Sequence, residues 1–118
     1  MIVVLNLFDI QKDCENVYAE YLRRVQPVMD RHRAKVLLYG LTRMIHQGSC
    51  SQEFCGLIAY EDIESLRSFS RDPEFNELRS LRDSSTSNYV MTTIEDFTSM
   101  LDAAEYLETR AARRNAQE

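Results

Sequence analysis

Apolar residues in the first part of the chain change from a strand pattern to a helix pattern. Residues 2–9 are apolar on both alternating faces, with Asn6 as the polar residue inside the run, which predicts a strand covered on both sides. Apolar residues then recur at steps of three and four, which predicts one amphipathic helix. They are Cys14, Val17, Tyr18, Tyr21, Leu22, Val25, Val28 and Met29. Asp13 is the predicted N-cap, and Pro27 predicts a kink near residues 23–27.

The next part of the chain has the pattern of a β-hairpin. Residues 35–47 predict a long strand in which Gly40 marks a bulge or a bend. Residues 48–52 (GSCSQ) have the composition of a turn, and residues 53–60 (EFCGLIAY) predict the returning strand.

Two aspartates mark the beginnings of two further helices. Asp62 is the predicted cap of a short helix that ends near Ser70. Asp72 precedes Pro73, which suits the first position of the following helix because proline has no N–H to leave unpaired. That helix is predicted to turn three apolar side chains inward, namely Phe75, Leu78 and Leu81.

The last part of the chain predicts a fourth strand and a terminal helix. Residues 88–97 alternate, and from about Thr98 one helix face carries Met100, Leu101, Ala104, Leu107 and Ala111. The element order is therefore β-α-β-β-α-β with an added C-terminal helix, the ferredoxin-like arrangement of the α+β class. We expect a domain over residues 1–97 and a helical extension over residues 98–118.

The predicted sheet leaves one face uncovered. Helices on one side of four strands leave the other side open, yet the strands are apolar on both faces. Packing of two copies sheet against sheet buries that surface. The sequence therefore predicts a homodimer, a dimeric α+β barrel.

Composition and charge narrow the classes of partner. The chain has 118 residues, enough for one domain, and a formal net charge of −5, which argues against binding to nucleic acid. No apolar run has the length of a membrane span, and the apolar N-terminus is interpreted as a strand and not a signal peptide. The three cysteines are odd in number and lack CxxC spacing, which favours a cytoplasmic location.

Two sequence blocks carry a family resemblance. The first is residues 18–37 (YAEYLRRVQPVMDRHRAKVL), with paired tyrosines and a mid-helix proline. The second runs from an aromatic strand end through ESL, an aromatic residue, DPEF and LR-x-LR; it supplies Tyr60, Glu64, Ser65, Leu66, Phe69, Asp72, Pro73, Glu74, Phe75, Leu78, Arg79, Leu81 and Arg82. Over about residues 1–96 the chain resembles a bacterial family of short dimeric α+β barrel proteins, the domain of unknown function 1330. One departure is Arg33 and Ala34 where the family has a glycine pair, which predicts a rebuilt turn.

The resemblance implies a pocket between the sheet and its helices. Related dimeric α+β barrels include cofactor-free oxygenases, isomerases, dehydratases and heme enzymes, although fold alone does not fix function. Arg82 matches the family's recurring arginine and is expected to bind an anionic ligand, or else to hold helix carbonyls and neighbouring carboxylates. Tyr18 and Tyr21 are expected to place hydroxyls in the pocket or to fill the core, and Asn6 to orient a bound polar group or satisfy the backbone.

Candidate catalytic residues lie on the predicted second strand. His46 is a natural general base, and Arg43 suits a carboxylate or an enolate. Their spacing of three puts them on opposite faces unless a bulge intervenes, whereas Tyr39 shares the face of Arg43. The alternative is that His46 lies exposed at the hairpin tip and Arg43 is a peripheral charge.

Two functions from different classes fit these features. One is a cofactor-independent enzyme of the oxygenase or isomerase type that acts on a small aromatic or polyketide-like molecule. The other is a non-catalytic dimeric ligand-binding or accessory protein. His46, Cys50 and Cys55 lack a fourth ligand for structural zinc, so neither a metal nor another cofactor is expected.

Overall fold

Within residues 1–117, four strands and four helices make up the fold. The computed structural model describes residues 1–117; Glu118, the last residue of the predicted extension, lies outside that range. The strands are β1 (Ile2–Ile10), β2 (Lys35–Leu41), β3 (Phe54–Tyr60) and β4 (Thr86–Ile94). The helices are α1 (Glu15–Arg31), α2 (Ile63–Arg71), α3 (Pro73–Ser85) and α4 (Met100–Gln117). The strands form one antiparallel sheet in the order β2-β3-β1-β4, which confirms the ferredoxin-like α+β fold with an added helix.

Aspartate caps begin α2 and α3 as predicted. The Asp62 carboxylate accepts a hydrogen bond from the Ser65 backbone N–H at 2.8 Å, and the Asp72 carboxylate accepts one from the Glu74 N–H at 2.9 Å. The predicted cap of α1 is wrong. Asp13 has a left-handed φ of 63° in a turn before the helix, and the N-cap is Cys14, whose side chain makes no capping hydrogen bond.

The turn out of α1 keeps its left-handed residue without glycine. Arg33 has a φ of 57°. Its N–H donates to the Asp30 carbonyl at 3.1 Å, and the Ala34 N–H donates to the Met29 carbonyl at 3.0 Å. These two bonds form a Schellman motif, so the expectation of a rebuilt turn is wrong. Arg33 therefore adopts the left-handed conformation although this costs a non-glycine residue conformational free energy.

The second strand is shorter than predicted. β2 ends at Leu41, and residues 42–53 form a loop that Thr42 closes by donating from its backbone N–H to the Glu53 carbonyl at 2.8 Å. The predicted bulge at Gly40 is also misplaced. Gly40 pairs regularly with Cys55, and the register with β3 shifts between Val36 and Leu38.

The sheet has a covered face and an open face. Val4 and Phe8 of β1 and Ile58 of β3 pack beneath the helices in the core. Strand alternation and register turn the opposite side chains of all four strands to the other face, where Leu38, Val90 and Ile94 are exposed. Apolar side chains on that face include Leu5, Leu7, Leu38, Leu57, Val90 and Ile94.

The apolar face of the last helix is not buried against the rest of the chain. No residue of α4 is buried, and Met100, Leu101 and Leu107 are more than half exposed. Phe97, in the linker after β4, packs against Tyr106 with ring centroids 5.4 Å apart. Within residues 1–117 no helix has the combination of length and hydropathy that crossing a membrane requires.

Candidate functional site

A cavity of about 460 Å³ lies between the helix layer and the sheet. This volume falls in the range of about 300–1,000 Å³ that small-molecule sites occupy. The wall is largely apolar or aromatic, with polar groups at several points. Its lining consists of Val4, Asn6, Tyr18, Tyr21, Leu22, Val25, Met29, Tyr39, Ile58, Tyr60, Leu66, Phe69, Ser70, Phe75, Arg79, Arg82, Tyr89, Met91, Thr92 and Thr93.

Two tyrosines from different elements meet at one end of the cavity. The hydroxyl of Tyr18, on α1, forms a short hydrogen bond with that of Tyr39, on β2. Gly56 of β3 makes this possible, because a Cβ atom there would lie 2.7 Å from Cδ2 of the Tyr39 ring. The absence of a side chain at Gly56 therefore lets the Tyr39 ring lie across β3 and reach Tyr18.

A bulge in β4 brings a further tyrosine into the cavity. The register between β1 and β4 shifts between Leu7 and Asp9, and Asn88 adopts a left-handed φ of 52° there. Tyr89 then points to the helix side, where its hydroxyl donates to Asn6 Oδ1 at 3.0 Å. Asn6 is buried, so this bond pairs the polar group inside β1.

Two arginines on one face of α3 supply the positive charge of the cavity. Arg82 Nε donates to Asp83 Oδ1 at 3.1 Å, and the Arg82 guanidinium carbon lies 5.6 Å from the Tyr89 ring centroid. The Arg79 guanidinium carbon lies 5.3 Å from the Phe75 ring centroid. The Arg79 Nε atom is buried and has no hydrogen-bond partner among residues 1–117.

Burial keeps the tyrosine hydroxyls of the cavity neutral. Desolvation raises the pKa of Tyr39 and of Tyr60 to about 12. It also raises the pKa of Tyr18 and of Tyr89, and the pKa of Tyr21 rises in spite of the nearby Arg82 cation. At neutral pH these groups therefore act as hydroxyl donors and acceptors and not as phenolate bases.

The cavity is accessible from the β4 side. Met91 and Thr93 pair with Asn6 and Val4 and so point toward the helix layer, yet both are exposed. The helices therefore do not cover this part of β4. Met91 and Thr93 thus form an exposed part of the cavity wall, whereas Tyr18 and Tyr21 are buried in it.

Five of the seven predicted site residues line this cavity: Asn6, Tyr18, Tyr21, Tyr39 and Arg82. The structure does not bring Arg43 and His46 to it. Both are exposed in the loop after β2, and neither is among the lining residues. Sequence reasoning missed Arg79 and Tyr89. The spacing of Arg79 three residues before Arg82 is a usable signal, whereas Tyr89 depends on a bulge that no local pattern announces.

No metal centre accompanies these polar groups. Within the part of the chain that the structure describes, no group of three or more histidine, cysteine, aspartate or glutamate side chains is placed to hold a metal ion. The polar groups that converge on the cavity are hydroxyls, one amide and two guanidinium groups. Such donors suit polar and anionic groups of an organic molecule.

The fold and cavity define a ferredoxin-like α+β protein with a pocket beneath its helices. Residues 4–97 match the family described as Domain of unknown function (DUF1330). The chain belongs to this family, which confirms the resemblance of the two sequence blocks. No curated protein matches the chain in sequence.

Solved structures share the fold at low sequence identity. The RPA0582 protein of unknown function from Rhodopseudomonas palustris is 20% identical, with 83% of each chain covered and a TM-score of 0.75. A dimeric ferredoxin-like protein of unknown function from Jannaschia sp. CCS1 is 12% identical, with 80% of this chain and 98% of that chain covered and a TM-score of 0.67. An antibiotic biosynthesis monooxygenase is 13% identical, with 82% and 99% covered and a TM-score of 0.61. At these identities the likeness concerns the fold alone.

Proposed function

We propose that this protein binds a small organic molecule in the tyrosine-lined cavity. The observation that carries the proposal is the convergence of polar groups from both the helix layer and the sheet on one accessible apolar cavity. The Tyr18 and Tyr39 hydroxyls meet at one end, and Tyr89 and Asn6 meet on the sheet. A few placed polar groups in an apolar wall are typical of small-molecule sites.

The cavity favours binding over catalysis by a histidine base. His46 lies outside it, and the titratable side chains inside are tyrosines and arginines. A tyrosine whose pKa is raised is a poor base at neutral pH but a good hydrogen-bond donor. Non-catalytic ligand binding is therefore the function that the geometry supports best.

A cofactor-independent enzyme remains the second candidate, favoured by the Tyr18–Tyr39 pair. Linked hydroxyls in a desolvated cavity stabilise an enolate or a phenolate by donating hydrogen bonds, with an arginine nearby to balance the charge. This arrangement suits proton transfer on an aromatic or polyketide-like molecule. An antibiotic biosynthesis monooxygenase shares the fold, which adds only an analogy.

The working form is proposed to be a homodimer packed through the open sheet face. Support comes from exposed Leu38, Val90 and Ile94 on that face. Contiguous exposed apolar surface of this kind is typical of association sites. The Jannaschia relative with this fold is described as dimeric.

We also propose that the C-terminal extension docks onto the dimer and that the protein is located in the cytoplasm. Residues 98–118 are assigned to an extension that docks onto the dimer, because α4 carries an exposed apolar face and the family match stops at residue 97. A reducing cytoplasm is the proposed location. Three free thiols, those of Cys14, Cys50 and Cys55, are compatible with it.

The cavity is tested by ligand-observed NMR with a set of neutral and charged single-ring aromatic fragments. We expect several fragments to bind the wild type and to lose binding to Thr93→Trp, which fills the cavity entrance with an indole. Glu95→Trp is the matched control, since it adds the same bulk just beyond β4 and outside the cavity lining. Equal binding to all three proteins, or to none, would reject the cavity as the site.

Catalysis is tested on the fragments that bind. Incubation in D₂O, followed by NMR, detects exchange of a carbon-bound hydrogen that a proton-transfer enzyme catalyses. Tyr18→Phe removes one hydroxyl of the pair with little change of shape, so enzymatic exchange slows about 10²-fold or more. Exchange no faster than in buffer without the protein leaves binding as the function, whereas catalysed exchange that is unchanged in Tyr18→Phe excludes the Tyr18 hydroxyl from the reaction.

A further inference from the structure

The charge of the cavity is opposite to that of the chain. The chain carries 19 acidic and 14 basic residues, for a formal net charge of −5. Among the described residues 1–117, the cavity wall nevertheless contains two arginines and no aspartate or glutamate. A site that gathers cations in an acidic protein attracts anions, since the surrounding low-dielectric wall strengthens the interaction.

The two arginines differ in how far the protein neutralises them. Arg82 has one acidic partner, Asp83, whose side chain is 60% exposed, while that of Arg82 is 16% exposed. Arg79 has no ion pair within 4 Å among residues 1–117, and its buried Nε atom has no hydrogen-bond partner there. One guanidinium of the cavity thus lacks a counter-charge. A single negative charge from a ligand supplies it.

The tyrosines do not supply that counter-charge. Burial raises the pKa of Tyr39 to about 12 and also raises the pKa of Tyr18 and Tyr89, so these hydroxyls stay protonated at neutral pH. They are neutral donors that add hydrogen bonds to an anion or to a ligand hydroxyl.

The remaining wall suits a flat ring. Phe75 lies below both guanidinium groups, with centroid distances of 5.3 Å to Arg79 and 5.8 Å to Arg82. Phe69 packs against Phe75 with centroids 4.3 Å apart. Aromatic walls favour an aromatic ligand through offset or edge contacts. A cavity of about 460 Å³ has room for a small ring compound.

We propose that the cavity selects a small aromatic carboxylic acid in its anionic form. This inference rests on the proposed binding function and names the ligand class. The carboxylate lies between Arg79 and Arg82 and receives guanidinium hydrogen bonds, for which the planar fork of arginine is well suited. The ring packs on the aromatic wall, and the Tyr18–Tyr39 pair hydrogen-bonds a further polar substituent of the ligand.

A matched pair of probes tests the charge requirement. Benzoate and benzamide have nearly the same shape and differ in charge, so their affinities are compared by ligand-observed NMR titration. We expect benzoate to bind the wild type about tenfold or more tightly than benzamide, because hydrogen bonds to charged groups are the stronger ones. Equal affinities would overturn the inference while leaving the binding function intact. Failure of both probes also overturns it, and the neutral fragments of the wider set then decide the binding function separately.

Three variants locate the preference on the arginines. Arg79→Gln removes the unpaired cation and is expected to abolish the preference for benzoate. Arg67→Gln is the control, because Arg67 lies on α2 outside the cavity lining and pairs with exposed Glu64 at 2.8 Å. Asp83→Asn frees Arg82 from its acidic partner and is expected to tighten benzoate binding about two- to fivefold. Unchanged selectivity in Arg79→Gln, with the fold intact by circular dichroism, or weaker benzoate binding in Asp83→Asn would refute the assignment.

Discussion

Asp72 joins the end of α1 to the start of α3 through its two carboxylate oxygens. Oδ1 accepts the Glu74 N–H and so caps α3. Oδ2 accepts hydrogen bonds from Arg31 at 3.0 Å and from His32 at 2.8 Å, both at the end of α1. These groups hold the pKa of Asp72 well below its usual range, with His32 and Arg31 as the largest causes. One side chain thus fixes the end of α1 over the junction of α2 and α3.

The depressed pKa gives the stability an acid dependence that Asp72→Asn removes. A carboxyl group whose pKa is lower in the folded state stabilises the protein above its unfolded pKa of about 3.9, and this contribution disappears as the pH falls through the folded pKa. Asparagine keeps the cap but not the charge. We expect a lower melting temperature for Asp72→Asn at pH 7, by about 2–5 °C, and a smaller decrease below pH 5 than in the wild type. Thermal melts from pH 3 to pH 7 measure this.

A cap-deleting variant and a surface control complete that experiment. Asp72→Ala loses both the cap and the ion pairs, so it melts below Asp72→Asn at every pH in the series. Glu64→Gln breaks only an exposed pair with Arg67 and leaves the acid dependence unchanged. An acid dependence that is the same in Asp72→Asn and the wild type would contradict the role given to Asp72.

Replacement of Arg33 by glycine is expected to stabilise the protein, unlike the substitutions of Asp72. Its left-handed φ of 57° costs a non-glycine residue about 1–2 kcal/mol, whereas its side chain is 79% exposed and only 3.9 Å from Glu61. Arg33→Gly relieves that cost and gives up part of the gain as unfolded-state entropy. We expect a net stabilisation of about 0.5–1 kcal/mol in urea unfolding. Arg33→Ala, which also lacks the charge but keeps a Cβ, should not be stabilised; equal stabilisation of both variants would disprove the backbone explanation.

At the scale of elements, local signals predicted helix starts better than strand ends. Asp62 and Asp72 were identifiable as caps because capping depends on residues a few positions apart. The predicted β2 extends too far along the chain because Met44 and Ile45 are apolar. In the structure both lie in a loop, where they are 74% and 54% exposed. A strand needs a paired neighbour, and β3 begins only at Phe54. Pairing across a hairpin is not visible in one strand's own pattern.

In the candidate site, too, some residues are predicted from local sequence and others depend on contacts between distant segments. Tyr18 and Tyr21 follow from helical spacing, and Arg82 follows from the family motif. Tyr39 reaches Tyr18 only because Gly56 lies on the neighbouring strand, and Tyr89 depends on the bulge at Asn88. Both depend on contacts between distant segments. The chemistry of His46 and Arg43 suits catalysis, but the predicted strand that would carry them ends at Leu41, and both lie in the loop beyond it.

Helix α4 is expected to stabilise the dimer and not its own subunit. A helix gains most of its stability in a protein from packing an apolar face, but none of the residues of α4 is buried within the chain. We expect removal of residues 98–118 to leave the melting temperature of the domain within about 2 °C when dimer formation is saturated, and to weaken the dimer about tenfold. Sedimentation at several concentrations measures the second effect.

A point variant separates loss of the apolar face from loss of the helix itself. Leu101→Glu places a charge on a residue that is 81% exposed, and it should weaken the dimer in the same direction as the truncation. Glu105→Gln, on an exposed position of the same helix, is the control and should not. A large drop in the melting temperature of the truncated domain would mean that α4 stabilises its own subunit instead.

For the whole molecule, the two faces of the sheet differ in what covers them. One face forms the core and the floor of the cavity through Val4, Asn6 and Ile58. The other presents apolar side chains that include Leu5, Leu38 and Leu57. Because alternate residues of each strand supply the two faces, association through the open face need not disturb the cavity.

Leu57→Glu tests the proposed dimer at the centre of the open face. Leu57 pairs with Leu5 on one side and with Leu38 on the other, so a carboxylate there is buried against apolar groups in a sheet-to-sheet interface. We expect the wild type to be a dimer in native mass spectrometry and Leu57→Glu to be a monomer with unchanged far-ultraviolet circular dichroism. Ser68→Glu, on the exposed surface of α2, is the control and stays dimeric. If the wild type is a monomer at micromolar concentration, the open face does not serve self-association. If Leu57→Glu is monomeric and still binds aromatic fragments, one subunit forms the complete cavity; if binding is lost with the dimer, the partner subunit completes the site.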